Sequence, residues 1–114
     1  MEQKQLQVQD NMPSNSFHFR SIKNHEVNIV NICDTEVIGK TLSEGESEIE
    51  ISEDYFGEIQ IDENKAIELL KTSNTLNLVG NNIVDLAIKL DLASPDFIKS
   101  IKNISFVLIY KFIQ

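Results

Sequence analysis

Few residues in this chain are of the types that do covalent or metal chemistry. His18 and His25 stand seven positions apart across what reads as a hairpin, and Cys33 is the one further soft ligand, a set short of what zinc requires. Cys33 closes a run rich in β-branched residues and has no histidine beside it in sequence, so it reads as a small core residue and not as an activated nucleophile. Acids are plentiful, with nine between Glu44 and Glu63 and no base among them. In Glu48–Ser52 they alternate with isoleucine, which turns the carboxylates to water, where their proton affinities stay ordinary, so nothing in the pattern supports a hydrolase-type carboxylate pair. The expectation is a protein with no metal, no cofactor and no enzymatic activity.

Two loops are better suited to binding. In Leu78-Val79-Gly80-Asn81-Asn82 a strand runs into glycine and then into a helix start, whose free backbone donors favour an anion. The glycine spacing and lysine of phosphate loops are missing, so plain capping is the competing reading. In Asp34-Thr35-Glu36-Val37-Ile38-Gly39-Lys40, Asp34 and Thr35 cap a single helical turn that Gly39 closes, presenting Lys40 at the rim. Lys40, Gly80, Asn81 and Asn82, with Lys99, Lys102 and Lys111, form the candidate RNA- or partner-facing set. Glu46, Glu48, Glu50 and Glu53 form a candidate acidic, protein-facing surface.

The charges are segregated along the chain. The formal charge is −8, but residues 1–43 carry four bases and five acids, and residues 64–114 carry six bases and four acids. The surface is therefore expected to be electrically two-sided, with a solvated or protein-facing acidic segment. A phosphate backbone repels such a protein on average and leaves only local docking at the basic C-terminal part.

The elements that position these residues follow from pattern and length. At 114 residues, 41% hydrophobic, the chain is the size of one domain, and a lone cysteine forms no internal disulfide. No stretch reaches the roughly 20 apolar residues of a membrane span, and the polar start lacks a signal-peptide layout, which points to the cytoplasm. Residues 1–15 read as a polar tail, and residues 16–114 as a single α+β domain. Ser16–Lys23 and Glu26–Cys33 form antiparallel strands around Asn24-His25. Glu48–Ser52 reads as an edge strand, Tyr55-Phe56 as an aromatic cover over the core with a bend at Gly57, and Glu58–Ile61 as a short strand. Asp62 caps a helix to about Thr72, Thr75–Val79 is a strand, and Asn81-Asn82 caps a buried helix from Ile83 to Leu92. Ser94-Pro95-Asp96 opens a short helix to about Ile101, and Ile104–Ile113 reads as an interior strand paired in parallel after a crossover. The architecture expected is a mixed sheet of about five strands covered by two main helices.

Two segments carry a family likeness. Cys33-Asp34-Thr35-Glu36-Val37-Ile38-Gly39-Lys40-Thr41-Leu42, with Tyr55-Phe56-Gly57-Glu58 after the acidic strand, resembles the archaeal family called Domain of Unknown Function 424. Leu76-Asn77-Leu78-Val79-Gly80 running into Val84-Asp85-Leu86-Ala87-Ile88, closed by Leu92, resembles it too. The likeness spans about residues 17–112. The chain departs from the family pattern at Gly57, where a glycine pair is usual, and at Ser105-Phe106-Val107-Leu108, where members tend to carry a Pro-His segment. The general base that such a histidine would supply is absent here. The resemblance implies a single-domain cytoplasmic protein of archaea whose genes lie near those of translation and ribosome maturation. The function expected is a non-enzymatic factor docking on a ribosomal subunit, through rRNA and ribosomal protein, or on an initiation or maturation factor. The alternative is an acidic interaction module that binds a basic protein without RNA contact.

Overall fold

The structure, a computed structural model, describes residues 16–24, 26–57 and 59–111. The tail, His25, Glu58 and the end of the last strand expected from sequence lie outside them.

Among the described residues, eight strands and three helices build a mixed α+β fold: β1 (Phe17–Asn24), β2 (Val27–Asp34), β3 (Thr41–Glu44), β4 (Ser47–Glu50), α1 (Glu53–Phe56), β5 (Ile59–Ile61), α2 (Glu63–Thr72), β6 (Thr75–Val79), α3 (Asn81–Lys89), β7 (Lys99–Ile101) and β8 (Ile104–Tyr110). Six strands form one sheet in the order β5-β1-β2-β6-β8-β7, and β3 and β4 form a separate hairpin. The main sheet thus has one strand more than the sequence suggested, since the residues of β7 carry too short a pattern to stand out. Within this sheet β2 and β6 run parallel, and every other neighbouring pair is antiparallel.

Alternation divides the sheet into two buried faces. Val30 and Ile32 of β2, Leu76 and Leu78 of β6 and Val107 and Ile109 of β8 lie under α2 and α3, with Phe17, Ala66, Leu70, Ile83 and Ala87. Cys33, Val79 and Ile101 point the other way, into a second core with Val37, Leu42, Ile51 and Phe56. The expected helix α2 is present from Glu63 to Thr72, with the Asp62 carboxylate accepting the Lys65 N–H at 2.9 Å. Its Ala66 and Leu70 face the core, as their helical spacing requires.

Four expectations are corrected. The last strand pairs antiparallel with β6, not in parallel. A two-residue turn at Lys102 and Asn103, both at positive φ (53° and 66°), folds β8 back from β7 and inserts it between β7 and β6. The parallel partner of β6 is β2, reached over the long excursion through α2. The helix from Ser94 is a single 3-10 turn, Pro95–Phe97, and Lys99–Ile101 is strand, because the next turn is drawn into pairing with Ile104–Phe106. Of the aromatic pair only Phe56 covers the core; Tyr55 is half-exposed at the surface of the one-turn helix α1. The last strand is not interior along its full length: Leu108 and Tyr110 are 51% and 67% exposed.

Candidate functional site

The start of α3 is where the sequence placed a possible anion. An anion is there, and it belongs to the chain itself. The Asp34 carboxylate, at the end of β2, accepts the N–H of Asn82 through Oδ2 and the N–H of Ile83 through Oδ1, both at 2.9 Å. Asn81 and Asn82 therefore do not cap the helix with their side chains; its N-cap residue is Gly80, and the carboxylate comes from 48 positions away. Asp34 correspondingly makes no side-chain cap bond to the 3-10 turn Thr35–Val37 that follows it. Parallel pairing of β2 with β6 explains the placement, since Cys33 lies opposite Val79 and the next residue of each strand is Asp34 and Gly80.

Gly80 is what lets the carboxylate in. It sits at φ +128°, and a Cβ there would fall 2.3 Å from Asp34 Cγ. Burial lifts the Asp34 carboxyl above the usual aspartate range; the Asn82 and Ile83 amides oppose that rise and nearby Glu36 adds to it. The Asn81 side chain serves the β7–β8 turn, donating Nδ2–H to the Asn103 carbonyl at 3.0 Å and accepting the Ser105 N–H at 2.8 Å. The donors of the Gly80-Asn81-Asn82 turn that these bonds occupy serve the fold.

The four lysines of the candidate set do not form one patch. Lys99 and Lys102 are exposed on β7 and its turn, with no carboxylate within ion-pair distance among the described residues. Lys40 is exposed at the entry to β3, behind Gly39 at φ +86°. Lys111 lies beyond the far end of β8, roughly five residues or 17 Å along the strand from the level of Lys99. Its Nζ donates to the Leu70 carbonyl in the last turn of α2, and burial lowers its proton affinity. It closes a helix end and does not join the others.

The hairpin that carries most of the acidic residues packs against the strand that leads into the basic Lys102 turn. Glu44, Glu46, Glu48 and Glu50 are all exposed on the β3–β4 hairpin, and Glu53 opens α1. Strand β3 packs against β7, because Leu42 and Ile101 share the second core. Acidic hairpin and basic turn are therefore neighbours, a correction to the two-pole picture that charge order along the chain suggested.

Sequence reasoning missed two features here. One is the Asp34 cap, whose only sequence signal is an acid ending a strand. The other is a set of exposed apolar side chains, Phe97 with Leu108 and Tyr110, which line a groove of about 240 Å³ with Leu92 and Ala93. Cys33 is fully buried, with its thiol pushed up to about 12 by burial and the adjacent Asp34 charge. Among the described residues no group of three or more His, Cys, Asp or Glu side chains is arranged to hold a metal ion, and no helix is long and apolar enough to cross a membrane.

The fold has a solved counterpart. A crystal structure of an uncharacterized conserved protein from Methanopyrus kandleri superposes with a TM-score of 0.71 at 14% identity, over 87% of this chain and 96% of that one. At that identity the likeness concerns the fold alone. No curated protein matches the chain. A family model described as "Protein of unknown function (DUF424)" matches residues 22–112, from the last residues of β1 to past the end of β8. Both turns that meet at the Asp34 cap fall within that span, and the chain belongs to this family of proteins of unknown function.

Proposed function

We propose that the chain is a non-enzymatic docking protein of the translation apparatus, which binds a ribosomal subunit or an initiation or maturation factor through the end of the fold where β3–β4 meets β7–β8. The observation that carries the docking reading is the contact of β3 with β7. It brings the hairpin that carries exposed Glu44, Glu46, Glu48 and Glu50 against the strand and turn that carry exposed Lys99 and Lys102, with Lys40 at the entry to the same hairpin. A surface with both signs side by side orients an encounter with a partner of complementary pattern, and its lysines reach phosphate locally without making the whole molecule adhere to RNA. The translational setting is drawn from the family likeness. Absence of catalysis is inferred from a candidate set whose polar groups either face water singly or are tied up within the fold.

Sedimentation of the native protein in a magnesium-containing lysate, at low salt and after a high-salt wash, tests the setting. Co-migration with a subunit that salt reverses supports it, and Lys99→Glu with Lys102→Glu then weakens it in a salt-dependent manner. Migration only at the top of the gradient removes the ribosomal form of the proposal.

A second reading has its own observation: the acidic side chains of β3–β4 have no Lys or Arg partner among the described residues. On that reading the hairpin alone meets a basic protein. Glu46→Lys with Glu48→Lys then abolishes binding, whereas the lysine reversals leave it intact.

A further inference from the structure

Among the described residues, the outer edge of β8 is open over half its length. Strand β7 pairs with β8 only from Ile104 to Phe106, and among the described residues no strand lies beside Val107–Tyr110. The direction of the free backbone groups is fixed by the bonds on the other side. Ser105 O accepts from Gly80 N and Lys111 N donates to Asn74 O, so odd-numbered residues turn their backbone groups toward β6. The N–H and C=O of Leu108 and Tyr110 therefore point outward, away from β6.

The side chains beside those groups are not the kind that protect an edge. At the opposite side of the sheet, β5 covers β1 only from Phe17 to Phe19, and the uncovered remainder carries Arg20 and Lys23, both exposed. Charges in such positions deter strand addition. The open part of β8 carries Leu108 and Tyr110 instead, with Phe97, 73% exposed, across the groove. Unpaired backbone groups flanked by exposed apolar side chains are what an incoming strand needs, the former for main-chain bonds and the latter for alternate side chains.

Charge selects the occupant. None of the residues lining the groove is acidic, and the open edge ends at Lys99, opposite Phe106, on one side and at Lys111 on the other. A second copy pairing antiparallel about Ile109 would bring its own Lys111 opposite Val107 and next to Lys99, like charge beside like. A strand with acidic ends meets the same lysines favourably. We propose that the β8 edge from Val107 to Tyr110 takes an extended segment of a partner protein as an added strand, with apolar side chains at alternate positions and acidic residues at its ends. The site does not depend on the translational setting. It shares only Lys99 with the docking end described above, so the variants that test it leave Lys99 alone.

Amide hydrogen exchange on the full chain is the first measurement. In the free protein the Leu108 and Tyr110 amides exchange quickly, while those of Val107 and Ile109, turned toward β6, are protected. Protection of Leu108 and Tyr110 at every concentration would mean that the chain covers its own edge. Protection that grows with concentration would mean a second copy covers it, and either result overturns the proposal. The binding probe is a library of random twelve-residue peptides displayed on phage. Selected sequences should alternate apolar residues between acidic ends and should protect the Leu108 and Tyr110 amides. Leu108→Lys and Tyr110→Lys should each weaken the best peptide by about tenfold or more, with folding checked by the unchanged protection of β6. A version of that peptide N-methylated at alternate backbone positions should not bind. Undiminished binding of the methylated peptide, selection of basic sequences, or no selection at all would overturn the proposal.

Discussion

Gly80 leaves the space that Asp34 fills: a β-carbon at Gly80 would lie 2.3 Å from the Asp34 carboxyl carbon and 2.6 Å from Oδ2. The two residues are one device, in which an end-of-strand acid closes the N-terminus of the helix that leaves the neighbouring strand. Replacing Asp34 by alanine leaves the buried Ile83 N–H without its acceptor and should cost about 1–2 kcal/mol. Gly80→Ala forces both a clash and a left-handed backbone and should cost on the order of 3 kcal/mol. Chemical denaturation of the two variants checks the ranking, and a Gly80→Ala protein as stable as the wild type would contradict the geometry.

The same carboxylate gives stability a definite pH slope. Burial outweighs its two amide donors and raises its proton affinity from the ordinary aspartate value of 3.8. The folded state then binds the proton more tightly than the unfolded state. Asp34's contribution is full below that ordinary value and is lost as pH rises through the raised one. Measured as the difference between the wild type and Asp34→Asn, so that other carboxylates cancel, the stability advantage should shrink as pH rises from about 3.8. A difference that grows with pH would show that the Asn82 and Ile83 amides dominate burial.

Cys33 should be unreactive in the native protein. It is fully buried and its thiol is pushed up to about 12, so almost no thiolate exists at pH 8. Labelling by a thiol-exchange reagent should follow the global unfolding rate and accelerate with denaturant. Rapid stoichiometric labelling without denaturant would show that the second core opens on its own.

Lys111 should behave as a structural residue and not as part of the docking surface that carries Lys99 and Lys102. Its ammonium holds the Leu70 carbonyl at the end of α2, so Lys111→Met should lower stability by about 0.5–1.5 kcal/mol. Association that depends on Lys99 and Lys102 should not change. A loss of association matching theirs, at unchanged stability, would return Lys111 to the binding set.

Local chemistry was legible in the sequence where it decided the structure. Thr75–Val79 is strand over the full expected span, and α2 starts at the expected Asp62 cap and ends at Thr72. Ala66 and Leu70 recur at helical spacing along α2 and Phe17 takes its place in the alternation of β1, and all three lie in the core. What escaped depends on distant partners. Strand β3, Thr41–Glu44, buries only Leu42 and has no alternation to announce it. The pairing of β8 was misread because the Lys102-Asn103 turn adopts positive φ without a glycine, so nothing marked the hairpin. The acidic run and the basic C-terminal part lie apart in the chain and meet in space only because Leu42 and Ile101 share a core. Asp34 read as the cap of its own loop, and only the β2–β6 register shows that it serves another.

That parallel seam also governs how the chain reaches its folded state. The β1–β2, β3–β4 and β7–β8 hairpins close over short loops, but Ile29 meets Thr75 only after the chain between them, with β3, β4, α1, β5 and α2, has been gathered in. Closing so long a loop adds little to the equilibrium cost, which grows only logarithmically with length, yet it delays the encounter. The seam joins β1–β2 to β6–β8 and lies between both cores, so neither half can complete its packing before the other arrives. The topology predicts slow, cooperative closure of the sheet, with the Asp34 bond to α3 available only once the seam has paired.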